Sequence, residues 1–237
     1  MMRGLMRKTD IGFYSLLGVT TAFFLYYLSF VFFQTPLAQE QAGGIAQKIF
    51  YFHVPSAYGM YLAGCVCLVS SAGYLVKPND TWNGVAQAAA EAAALFGIVV
   101  LTSGPLWAKK AWGVYWTWEP RLTTSLLSVM LYVALVVLRT FFGEGHAERK
   151  FAAALGVLGT VNLPIVHYAV KKWGGTHPMI MNREGGLEPV MLQGLLMGFA
   201  AVTLLAALLL WLRSSVNVGR SRAERLEQFA LERGLID

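Results

Sequence analysis

Charge is scarce in this chain of 237 residues: Asp, Glu, Lys and Arg make up 14% of it, against 56% hydrophobic residues. Soluble globular domains carry about 25% charged residues, and a mean hydropathy of +0.52 excludes an ordinary soluble domain in favour of an integral membrane protein. Cysteine is nearly missing as well. Cys65 and Cys67 stand two positions apart in an apolar stretch, so on a helix they face different directions and cannot chelate one metal; they read as small buried hydrophobes. No C-x-x-C-H occurs, so the chain is not itself a c-type cytochrome. The phosphate-binding pattern G-x-x-x-x-G-K-[ST] is missing too, which leaves any ATP hydrolysis to a partner. With no nucleophile placed beside a base, the residues suggest binding rather than catalysis.

Long apolar runs are what the chain does have. A spanning helix needs about 20 predominantly apolar residues, because lipid offers the backbone no hydrogen-bond partner. Six stretches qualify, at roughly 11–33, 54–76, 85–106, 122–142, 151–170 and 190–212. The first has no charge between Ile11 and Phe33, which is too long for a signal-peptide core, and it is expected to remain as a helix. The expected fold is therefore an all-α membrane protein of six transmembrane helices over 1–213, followed at 214–237 by a short amphipathic tail that ends in "RSRAERLEQFALERGLID", on a solvated surface or a partner.

Six spans put both termini on one side. That side would hold Arg3, Arg7, Lys8, Lys77, Arg139, Arg149, Lys150, Arg213, Arg220, Arg222, Arg225 and Arg233. The other side would hold Lys48, Lys109, Lys110, Arg121, Lys171, Lys172 and Arg183. Twelve cations against seven make the termini cytoplasmic by the positive-inside rule. The seven outward cations gather in three loops that also carry aromatics or histidine, so the net charge of +6 does not require a nucleic-acid partner.

The second of those loops reads "WGVYWTWEPRLT", and four of the seven tryptophans fall between Trp107 and Trp118. Tryptophan collects at membrane interfaces in any case, but an interfacial belt scatters its indoles among helix ends. Clustering favours a flat, conjugated, apolar ligand, and Lys109, Lys110 and Arg121 at the rim suit acidic arms on it. Haem fits that description. Pro120 suits the first position of the fourth helix and Glu119 the positive end of its dipole, so Glu119 has a capping role open to it, as Arg121 has snorkelling to a headgroup.

Haem iron accepts neutral imidazole, and four histidines are candidates. His146, in "GEGHAERK", lies on the opposite face and is solvated. His53, in "FYFHVPS", and His177, in "GGTHPM", lie on the aromatic loop's side, and His167, in "NLPIVHYAV", sits one or two turns inside the fifth helix.

Taken together, "WGVYWTWEPRLT", "KIFYFHVPSAYGMY" and "VNLPIVHYAVKKWGGTHP" resemble, in order, the signature segments of the tryptophan-rich haem-handling proteins of cytochrome c maturation, and in particular their haem-delivery branch. The resemblance covers about residues 45–178. It implies haem b, transiently bound outside the membrane between axial His53 and His177, with Trp112, Trp116, Trp118 and Arg121 cradling the ring and His167 structural. Glu119 stands where the family usually has Asp, which keeps the acid and adds a methylene. The implied partners are a periplasmic haem chaperone, the ATPase and membrane subunits of an ABC transporter, a small single-span accessory protein and the lipid of a bacterial inner membrane. A b-type cytochrome passing electrons from quinol, a haem transporter with Glu91 in its pathway, and a single-protein haem synthase are the rival readings.

Overall fold

The computed structural model describes residues 8–37, 43–141, 145–175, 177 and 187–235. Six α-helices carry the described chain: α1 (Lys8–Phe33), α2 (Phe50–Val76), α3 (Asp80–Trp112), α4 (Pro120–Phe141), α5 (His146–Trp173) and α6 (Pro189–Glu232), with a 3₁₀ helix, Gly44–Ile49, leading into α2. No strand occurs among the described residues. Each of the six is long and apolar enough to cross a membrane, as the hydropathy of the sequence implies. The helices outrun the apolar stretches, however. Backbone hydrogen bonds continue past the point where lipid demands them, so α3 carries on to Trp112 and α6 passes unbroken through residue 213 to Glu232.

At the centre lie α2 and α3, packed on one another; α5 and α6 also flank α2, α4 and α6 flank α3, and α1 stands outside against α6. Alanine explains the position of α3. Ala86, Ala88, Ala89, Ala90, Ala92, Ala93 and Ala94 are all buried, and a helix surface this small lets neighbours approach closely where lipid provides no hydrophobic drive to press helices together. Gly64 does the same for α2: a Cβ there would stand 2.6 Å from Leu163 Cδ1 of α5 and 2.7 Å from the Tyr132 hydroxyl of α4.

Two faces follow from this packing. At one, Asp80 opens α3 and pairs with Arg149 of α5 at 3.3 Å and with Arg225 of α6. Near the same end, Arg213 of α6 grips Glu91 of α3 with two bonds, Nε to Oε2 at 2.5 Å and Nη2 to Oε1 at 2.9 Å. The start of α1 reaches this level, since Phe13 lies edge-on to Trp211. At the other face the end of α1, the 3₁₀ helix, the start of α2, the end of α3 and the starts of α4 and α6 surround one large cavity.

Lys48 fixes the corner between α1 and the 3₁₀ helix. It is 5% exposed, and its ammonium donates to Val31 O at 2.8 Å, Thr35 O at 2.6 Å and Thr35 Oγ1 at 2.5 Å. Three donors meet three acceptors, and a cation sits at the negative end of α1. Counted from sequence as an outward cation, Lys48 is in fact a buried helix cap.

Candidate functional site

The cavity measures about 870 Å³, within the range of about 300–1,000 Å³ that holds small molecules and cofactors. Met60, Tyr61, Val100, Leu101 and Val166 give it an apolar depth; His53, Gln47, Arg121, Ser125, His177 and Glu188 supply polar groups. A few polar groups converging on an apolar hollow are the mark of a site that orients its ligand.

Each wall has a local cause. Gly113 adopts φ +79°, ends α3 and returns its N–H to Lys109 O at 3.1 Å; a left-handed residue at that position stops a helix, and glycine takes it without steric cost. Lys109 then donates to Gly113 O at 2.9 Å and lies 5.2 Å above the Tyr115 ring. Its charge is thus spent on shaping the turn. The chain re-enters a helix at Pro120, the first residue of α4, as its fixed φ favours, and one residue later Arg121 faces the cavity.

The indoles form two edge-to-face pairs rather than one flat plate. Trp107 and Trp112 meet at 5.1 Å and 78°, and Trp116 and Trp118 at 5.8 Å and 75°, the perpendicular arrangement that ring quadrupoles prefer. Trp107, Trp112 and Trp116 line the cavity. Trp118, 77% exposed, stands outside it, and Glu119 is not among the lining residues either. The indole N–H of Trp116 is buried and has no acceptor among the described residues.

His53 belongs to the first turn of α2 and His177 to the segment after α5. Both line the cavity, and their ring centres lie 6.5 Å apart with planes inclined by 33°. That spacing is too wide for stacking. Metal–imidazole bonds of about 2.0–2.1 Å, with about 1 Å from nitrogen to ring centre, place two rings on opposite sides of one metal about 6 Å apart. Among the described residues no three His, Cys, Asp or Glu side chains group around a metal ion.

The remaining candidates fall elsewhere. His167 is exposed and packs edge-on against Tyr168 at 5.0 Å. His146 is exposed on the opposite face, beside the cleft that holds Asp80 and Arg149. Lys171 and Lys172 lie over Tyr168 and Trp173, at 6.0 and 5.4 Å, outside the cavity lining. Arg183 lies outside the described residues. Sequence reading passed over Ser103, which meets His53 Nδ1 at 2.9 Å, and Gln47, whose side-chain oxygen accepts from Trp107 Nε1 at 3.4 Å. Neither carries a motif of its own; only the packing of α2 and of the 3₁₀ helix on α3 identifies them.

Comparison with known proteins finds relatives along nearly the whole chain. The family model described as CcmC, heme exporter protein C, matches residues 5–228. The heme exporter protein C of Bradyrhizobium diazoefficiens is 32% identical over 205 residues, covering 85% of this chain and 78% of that protein. The Escherichia coli K12 protein of the same name is 30% identical over 194 residues, covering 81% and 79%. That of Rhodobacter capsulatus is 28% identical over 201 residues, covering 83% and 82%.

Proposed function

Because the chain belongs to the CcmC, or heme exporter protein C, family, we propose that it is a multi-pass protein of the bacterial inner membrane that binds haem at its outer face and presents it to a periplasmic haem chaperone for cytochrome c maturation. Haem is the cargo. His53 and His177 hold its iron, the indoles of Trp112 and Trp116 wall the ring, Trp118 and Glu119 belong to the loop that shapes the mouth, and Arg121 meets a propionate. The observation that carries this reading is the 6.5 Å spacing of the two imidazoles inside the tryptophan-lined cavity.

Each protein group then has a defined task. His53 and His177 supply neutral imidazoles. The apolar depth excludes water from the ring, and the Arg121 guanidinium offers a planar fork to a carboxylate. The reading is of a binding and delivery protein. ATPase and membrane subunits of an ABC transporter, with a small single-span protein, would complete the assembly and drive release of the loaded chaperone.

Two features weigh against the rivals. A quinol-linked b-type cytochrome generally buries its histidine ligands in mid-membrane, whereas His53 lies in the first turn of α2 and His177 beyond the end of α5. A transporter keeps ionisable groups on a pathway, whereas Glu91 is bound to Arg213 at 2.5 Å.

The test is the haem content and absorption spectrum of the purified protein, with transfer to the chaperone, for His53→Ala, His177→Ala and the double variant. Each single change should lower haem affinity by more than the about 10- to 100-fold that loss of an outer hydrogen-bond partner typically causes, and the double variant should purify without haem. A double variant with the haem content of the parent sinks the assignment.

A further inference from the structure

The His53 ring rests on α3 at two consecutive residues. Its Nδ1 lies 2.9 Å from Ser103 Oγ, and its Cε1 lies 3.1 Å from where a Cβ on Gly104 would be. The absence of a side chain at Gly104 lets the ring lie against the helix backbone, and the hydroxyl beside it reaches one specific nitrogen.

The proton on that hydroxyl can be located. Ser103 Oγ stands 2.5 Å from Val99 O, one helical turn back. Two oxygens that close, each presenting lone pairs, repel unless a proton lies between them. Serine has one hydroxyl proton, so it is committed to Val99 O and only lone pairs remain toward His53. The contact at 2.9 Å is then a hydrogen bond only if His53 Nδ1 donates. A neutral imidazole with its proton on Nδ1 carries its free lone pair on Nε2.

We propose that Ser103, seated beside Gly104 on α3, is a positioning residue that holds His53 in the Nδ1–H tautomer, so that Nε2 is the nitrogen offered to the metal. This rests on the reading of His53 as a haem ligand. The hydrogen bond also draws charge from Nδ1–H toward the serine oxygen, which makes Nε2 a stronger donor; outer partners of ligand histidines act in this way, fixing the tautomer and raising ligand basicity. Ser103 therefore sets both the orientation of His53 and the strength of its bond to iron.

The experiment compares full-length protein carrying Ser103→Thr with Ser103→Val, an isosteric pair differing in the hydroxyl, together with Ser103→Ala and His53→Ala. Two quantities are read on the haem-loaded protein: haem affinity, and the midpoint of the ferric–ferrous couple. Ser103→Thr should match the parent in both. Ser103→Val and Ser103→Ala should bind haem about 10-fold or more weakly, with the midpoint moved to a higher potential, because a weaker imidazole donor stabilises ferric iron less. Any packing disturbance is shared by Thr and Val, so their difference reports the hydroxyl even if both lower expression. Equal affinity and equal midpoint for Thr and Val overturn the role of Ser103 when His53→Ala still loses haem. Retention of the parent spectrum by His53→Ala overturns instead the ligand assignment beneath it.

Discussion

Lys48 enters the sequence as one of seven cations on the ligand's side and ends as a buried cap on α1. Its three acceptors, Val31 O, Thr35 O and Thr35 Oγ1, lie at 2.5–2.8 Å, and Val31 O accepts from the Thr35 hydroxyl as well, so Lys48→Met would leave buried Thr35 O without this donor while preserving the length of the side chain. An unsatisfied buried polar group costs about 1–3 kcal/mol, and the thermal unfolding midpoint in detergent should fall accordingly. A midpoint equal to the parent's would show the ammonium to be dispensable. The contrast with His53 and His177 shows what single residues reveal in sequence. Those two histidines were legible because each stands in a motif beside glycine, proline or aromatics. The buried fate of Lys48 was not, because its acceptors lie thirteen to seventeen residues earlier, in the last turn of α1 and just beyond it, and no local pattern reports that the chain doubles back. Ser103 was illegible for the same reason, being fifty residues from the ring it supports.

The helices themselves were the most legible element of the fold, since a run of apolar residues in lipid has few alternatives to a helix. Their ends were less so. The 3₁₀ helix, the four residues by which α2 precedes its apolar stretch, and the six by which α3 outlasts its own lie where water and protein replace lipid, and hydropathy has no reason to stop with the backbone hydrogen bonds. Those extra turns build the site: they place His53 inside α2 and Trp107 to Trp112 on α3. Packing between elements leaves a different mark, in small residues. At Gly64 a methyl group would meet Leu163 and Tyr132 below 3 Å, and the Tyr132 hydroxyl is held by Thr160 Oγ1 at 3.0 Å, so it has little freedom to withdraw. Gly64→Ala should overpack the joint between α2, α4 and α5 at a cost of about 1–3 kcal/mol. Measured side by side, its melting midpoint should drop while the haem spectrum, set three helical turns away at His53, stays that of the parent. A changed spectrum with an unchanged midpoint would contradict this separation of scaffold from site.

For the molecule as a whole, the proposed function requires that the cavity face outward. By the positive-inside rule, the distribution of cations predicts a cytoplasmic terminal side. The structure gathers Asp80, Arg149, Arg213 and Arg225 at one end of the bundle, and puts His53, His177, Trp107, Trp112 and Trp116 at the other. Delivery to a periplasmic chaperone is possible only if the tryptophan side is the outer one, so topology is the property on which the proposed function depends. Val114, 44% exposed in the loop between α3 and α4, and Leu226, 69% exposed on the far part of α6, mark the two faces without lying in an ion pair. In a background of Cys65→Ser and Cys67→Ser, which removes both native thiols, Val114→Cys should react with a membrane-impermeant maleimide in intact spheroplasts. Leu226→Cys should react only after the membrane is opened. The reverse pattern would put the haem site on the cytoplasmic side, where it could not serve a periplasmic acceptor. Labelling of both sites from outside would show that α6 does not carry the chain across. The outcome does not depend on haem occupancy, so it tests the architecture separately from the ligand.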